Sequence, residues 1–197
     1  VRQSYGNCNR YIQARTPDLI QSGNPQLPRI LSNTDRLSIA DQDLLHHADT
    51  FFIASAYFNQ QQQLTQGADV SHRGGRPGFI RIDDDQSLTI PDFAGNLFFN
   101  TIGNLLHDPR VGLLFIDFES ADLLYLAGEA HMIWDGPEVD AFTGAQRLIQ
   151  VRLHQVRRVT HALPIRWSSV RYSDFLRGTG TWQEADLKLR ELHGALP

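Results

Sequence analysis

The chain has 197 residues, a formal net charge of -4 and 20% charged residues. It is long enough for one domain that buries about two-thirds of its unfolded surface, and no global basicity recommends nucleic acid or a membrane surface as a partner. A single cysteine, Cys8, excludes an intrachain disulfide and a multi-cysteine zinc site, and no stretch approaches the roughly 18 apolar residues of a membrane span or shows a signal pattern, so a cytoplasmic protein is expected.

Residues 1–34 carry several breakers (Pro17, Gly23, Pro25, Pro28) and little periodicity, and read as an arm laid over the barrel or a partner subunit, ahead of a domain over 35–197. Ser38 with Asp41 three residues on predicts a helix start, and Ile39, Leu44, Leu45 and Ala48 give its apolar stripe, with an end near Asp49. "TFFIASAYF" (50–58) reads as a buried strand, and "NQQQQLTQGAD" as a polar connection. "GFIRI" and "SLTIP" are short strands joined by "DDDQ". "FAGNLFFNTIGNLLHDP" places Leu97, Phe98, Ile102, Leu105 and Leu106 at helical spacing before Pro109. Two strands follow, "RVGLLFIDF" and 122–134, the second with Leu124, Leu126, Gly128, Ala130 and Met132 on one side. A helix is expected near 138–146. "RLIQVRLHQVRRV" then alternates again, with Ile149, Val151 and Leu153 facing one way, and helices are expected around 168–176 and 183–193. Connections this short do not allow a doubly wound parallel sheet, so the expected fold is an antiparallel barrel with helices at its ends.

Two segments concentrate chemistry. In "SHRGGRPGF", Gly74 and Gly75 allow close backbone approach while Arg73 and Arg76 offer guanidinium forks suited to phosphate oxygens; a solvent-facing charged turn is the alternative. In the second, Asn96, Asn100 and Asn104 recur every four residues, and Thr101 with the free N–H groups of the helix start would favour an anion; asparagines decorating an exposed helix are the alternative. Neither a Gly-Lys-Ser/Thr phosphate loop nor a G-x-G-x-x-G follows a strand, no metal-binding histidine spacing occurs, and no catalytic nucleophile is announced. If the protein is an enzyme, a cofactor carries the chemistry.

"GADVSHRGGRPGFIRI", "LTIPDFAGNLFFNTIGNLLHDPRVGLLFIDF" and "ALPIRW" resemble the flavin-nucleotide-binding proteins of the pyridoxamine 5'-phosphate oxidase-like superfamily, over roughly residues 38–167. That resemblance implies a mainly β antiparallel split barrel with peripheral helices, working as a homodimer with FMN in two clefts built by both chains. It also implies that backbone groups of Phe79–Ile82 and Leu88–Asp92 wall the flavin. The cofactor-binding set it implies is Ser71, His72, Arg73, Phe79, Ile80, Arg81, Pro91, Asp92, Asn96, Asn100 and Thr101. Where the oxidase opens its helix with an arginine-lysine pair, this chain has Asn100 and Thr101, so either Arg73 or Arg76 supplies the missing cation, or FMN binds less tightly, or the cleft takes another ligand; Arg73 is the expectation, with Asn100 and Thr101 on the other side of the phosphate. Only Arg166-Trp167 matches near the C-terminus, so oxidation of a pyridoxamine phosphate is not implied. FMN-dependent redox chemistry on an unidentified substrate is the leading expectation. A barrel that has lost its flavin, or a haem-binding barrel using His72, are the alternatives.

Overall fold

In the computed structural model the described residues are 8–19, 29–58, 67–95 and 97–194, without the side chains of 193 and 194. They form β1 (Pro17–Leu19), β2 (Leu31–Thr34), α1 (Ile39–His47), β3 (Thr50–Tyr57), β4 (Gly67–Gly74), β5 (Arg81–Asp84), β6 (Ser87–Phe93), α2 (Asn100–His107), β7 (Arg110–Ile116), β8 (Leu123–Ile133), α3 (Pro137–Ala141), β9 (Ala145–Val159), β10 (Ile165–Trp167), a 3-10 turn at Asp174–Gly178 and α4 (Trp182–Gly194). The main sheet runs β4-β3-β7-β8-β9-β6-β5, with antiparallel pairing throughout. The chain is a mainly β antiparallel split barrel with peripheral helices.

Strand β9 organises the split. One edge pairs with β8 along Leu148–Val159, while the other pairs with β6 over Ala145–Arg152 and with β2 over Val156–Val159. Its apolar alternation explains the shared role: Ile149, Val151 and Leu153 are buried, as are Leu124, Leu126 and Met132 of β8 facing the same core. Each such side chain, fully removed from water, contributes about 1.5–3 kcal/mol before entropy is counted. At Gly128 the register slips by one residue, and a Cβ there would lie 2.0 Å from the Arg152 carbonyl oxygen, so the bulge requires glycine.

The helices sit at the margins. α1 opens with the expected capping box, Ser38 with Asp41, and buries Leu45; Ile39, expected on its apolar stripe, is 86% exposed. α2 lies over β3 and β4 and begins only at Asn100, because Leu97 (φ 65°) and Phe99 (φ 55°) take left-handed backbone angles incompatible with the longer helix that the spacing predicts. The expected helix over 138–146 closes at Ala141, and β9 takes the residues from Ala145. The segment expected to be helical over 168–176 holds only the 3-10 turn, whereas α4 covers the last expected helix.

The N-terminal residues join the sheet system. β1 pairs with β10, Ala14 bridges to Arg171, and β2 pairs with β9. Arg15 makes a bidentate ion pair with buried Asp49 (3.1 and 2.6 Å) and stacks on Phe118, fixing the arm beside the start of β3. Among the described residues no helix is long and apolar enough to cross a membrane.

Candidate anion site at the start of α2

β6 and β9 pair with Ile90 opposite Ile149 and Asp92 opposite Arg147. Asp92 and Arg147 therefore occupy the inward phase of two strands whose other inward residues form the core. A carboxylate there needs a counter-charge, and it receives two. Arg147 Nε lies 3.5 Å from Asp92 Oδ2, and Arg73 Nη1, reaching across from β4, donates to Asp92 Oδ1. The Asp92 side chain is 6% exposed, that of Arg147 14%. Two guanidiniums around one carboxylate leave one positive charge in excess. At 4 Å and an effective dielectric of 20, one unpaired charge interacts with a ligand charge by about 4 kcal/mol.

The two arginines are not equivalent. Arg73 is hydrogen-bonded to the carboxylate, whereas Arg147 Nε is buried without a hydrogen-bond partner among the described residues. The Arg147 guanidinium lies over two aromatic rings, 5.4 Å from the centroid of Phe99 and 5.3 Å from that of Trp134.

Phe99 is also the residue from which α2 departs. Among the described residues no side chain caps the helix, so the first-turn N–H groups of α2 are not satisfied by a cap, and the helix dipole favours negative charge there. The opposite flank of this turn has the other sign. Thr101 and Ser71 both donate hydroxyl hydrogen bonds to Asp69 Oδ2 (2.9 and 2.8 Å), and Asn104 Nδ2 donates to Ser55 Oγ (3.2 Å). An anion at the helix start is thus repelled from the Thr101 side by Asp69 and attracted to the Phe99 side by Arg147.

The expected residues divide by strand phase. Arg73 meets Asp92, Ser71 and Thr101 meet each other on the Asp69 flank, and Asn100 opens α2. Asn96 lies outside the described residues. His72 points to the other face of β4 from Arg73, stacks on Phe52 at 5.0 Å, and has a buried Nε2 without a partner among the described residues; burial pushes its pKa below the ordinary 6.5. Phe79 and Ile80 are 1% and 2% exposed and belong to the core, so any contact they make with a ligand is through the backbone. Pro91 lies on the opposite face of β6 from Asp92. Arg81 is held on that same opposite face by Glu138 (2.7 Å) and Asp83 (2.6 Å), above the Trp182 ring. Arg76 is tied to α4 through Glu184. Arg147, absent from the expected set, is the added member; its signal was a charge in phase with Ile149, Val151 and Leu153.

A concavity of about 650 Å³ opens elsewhere, between Arg76, Pro77, Tyr172, Ser173, Leu176 and Arg177. Its arginines are already paired, Arg76 with Glu184 and Arg177 with Asp174, both at 2.9 Å, so it offers no unmatched charge. Among the described residues no cluster of three or more His, Cys, Asp or Glu side chains could hold a metal ion.

No family model matches the chain, and no curated protein matches it. Among solved structures it is similar to a putative pyridoxamine 5'-phosphate oxidase from Lactobacillus delbrueckii (13% identity, TM-score 0.48, covering 62% of this chain and 94% of that one). It is also similar to HupZ from Group A Streptococcus (11% identity, TM-score 0.45, 59% and 89% covered) and to an FMN-binding protein from Syntrophomonas wolfei (12% identity, TM-score 0.40, 60% and 87% covered).

Proposed function

We propose that this protein binds a flavin mononucleotide with its phosphate near the start of α2, in a cleft completed by a second copy of the chain. The observation that carries this reading is the excess cation at Asp92, set beside an uncapped helix start. A phosphate monoester fits such a place because it needs a few donors and one compensating charge. The larger pyrophosphate and adenosine of a dinucleotide would need further matched donors, and the concavity beside Arg76 has its arginines neutralised by Glu184 and Asp174, which favours FMN over FAD. The aromatic side chains of Phe99 and Trp134, 48% and 48% exposed, offer flat apolar surface near the charged group.

The chain's own residues supply positioning and charge; a bound flavin would supply the electron transfer, and its substrate is a separate question. A haem held by His72 fits less well, since the imidazole Nε2 is already buried against the sheet. Titration of the purified, folded protein with FMN, followed by quenching of flavin fluorescence, tests the proposal. Saturable binding of FMN that is tighter than that of FAD is the expected result, and no binding, or tighter binding of FAD, would overturn it.

A further inference from the structure

Resting on that reading, we infer that Arg147, rather than Arg73, is the residue that grips the phosphate, and that Asp92 is an internal counter-ion that limits its affinity. The strand register places Arg147 directly opposite Asp92, yet its Nε is 3.5 Å away and makes no hydrogen bond among the described residues, although the atom is buried. A guanidinium drawn out of water without its full set of acceptors gains most when an oxyanion arrives. Arg73 differs because its fork already donates to Asp92, so enlisting it for a ligand breaks that bond and leaves the buried carboxylate only the more distant Arg147 Nε at 3.5 Å.

Position agrees with charge. Phe99, whose ring centroid lies 5.4 Å from the Arg147 guanidinium, accepts the first helical hydrogen bond of α2 from Gly103 N–H (2.7 Å), so Arg147 packs on the residue from which the uncapped helix departs. The Thr101 flank is occupied by Asp69 with two hydroxyls bonded to it. The cationic flank of the turn is therefore the one where Arg147 stands. Asp92 neutralises one of the two arginines, and removing its charge would leave both for the ligand.

The test compares FMN with riboflavin, which has the same ring and no phosphate, on the full chain and on Arg147→Gln, Arg147→Lys and Asp92→Asn, each checked for a cooperative thermal transition. Arg147→Gln is expected to bind FMN roughly ten- to a hundredfold more weakly, the usual consequence of losing a charged hydrogen bond, with riboflavin affinity unchanged. Asp92→Asn is expected to bind FMN several-fold more tightly, again without change for riboflavin. If Arg147→Gln does not fold, Arg147→Lys decides: it keeps the charge but loses the planar fork, and its FMN affinity should fall while its riboflavin affinity holds. Wild-type affinity for FMN in a folded Arg147 variant overturns the assignment. Should the wild-type chain bind neither flavin, the cofactor reading fails separately, and inorganic phosphate becomes the probe: uptake by wild type and not by Arg147→Gln upholds the anion grip, and no uptake by wild type overturns it.

Discussion

At His72 burial and protonation oppose each other. The ring stacks on Phe52, its Nε2 is enclosed, and desolvation, partly offset by the nearby Asp49 charge, lowers its pKa from 6.5. The unfolded chain therefore binds a proton at a higher pH than the folded one does. Stability contributed at this position is complete above pH 6.5 and is lost as pH falls below that value toward the folded-state pKa. His72→Phe keeps an aromatic ring on Phe52 and removes the titration. Urea midpoints measured between pH 7.5 and pH 5 should fall less steeply for this variant than for wild type, and parallel profiles would show that His72 titrates alike in both states. Strand phase explains which site residues were legible. Asp92 and Arg147 both sit in the inward phase of apolar strands, a readable sign of a paired buried charge; what the sequence does not show is that the two strands register them opposite each other. His72 and Arg73 are neighbours in sequence and for that reason face opposite sides of β4, so one compact motif becomes two unrelated environments.

Among the elements, those whose buried face has a clear period were legible and those set by backbone angles were not. Alternation exposes β8 and β9, and Ser38 with Asp41 announces α1. β4 was obscured because its glycines, arginine and histidine resemble a turn, while its strand pairing comes from β3, which it follows over eight residues. The glycine at its end has a specific reason. A Cβ on Gly74 would lie 2.1 Å from the Tyr11 carbonyl oxygen and 2.9 Å from that of Asp49, both backbone atoms that cannot step aside. Gly74 is thus where the N-terminal arm seats on the sheet, next to the Arg15–Asp49 ion pair and the Gln13 amide bonded to Tyr11 O at 2.9 Å. Gly74→Ala should unseat the arm first, because the contact with Tyr11 O is the closer one, and displace the start of β3 at Asp49 only slightly. Trypsin cleavage after Arg10 and Arg15 is expected to accelerate about tenfold, the effect of raising the open population by about 1.4 kcal/mol, with an unchanged far-ultraviolet circular dichroism spectrum. Wild-type cleavage rates would place the arm's hold elsewhere.

For the whole molecule, the outer face of β4, β3, β7 and β8 bears on the proposed shared cleft. The strand registers bring Val70, Ala54, Gly112 and Ala127 into one row, with His72, Phe52, Leu114 and Tyr125 in the next, and with the His72 pKa lowered by burial none of the eight carries a charge at neutral pH. Val70 is 59% exposed and Tyr125 40%, so the middle of this face is apolar and open in the single chain, with the exposed Arg110 and Glu129 paired across β7 and β8 at its border. Four strands about 4.8 Å apart and some eight residues long present roughly 500 Å², more than half of the about 800 Å² that each partner gives to a stable interface. Small side chains in the central row allow a second sheet to approach closely, which a copy of the same face satisfies by two-fold symmetry. Ala54→Arg places a charge at the centre of that face while pointing away from the core, so it should leave the fold intact and oppose association by desolvation and like-charge repulsion across the axis. Light scattering is expected to give a dimer for wild type at micromolar concentration and a monomer for the variant, and FMN affinity should fall with the mass because the cleft needs both chains. A wild-type monomer would remove the shared cleft altogether, and a monomeric variant that retains full FMN affinity would place the whole binding site within one barrel.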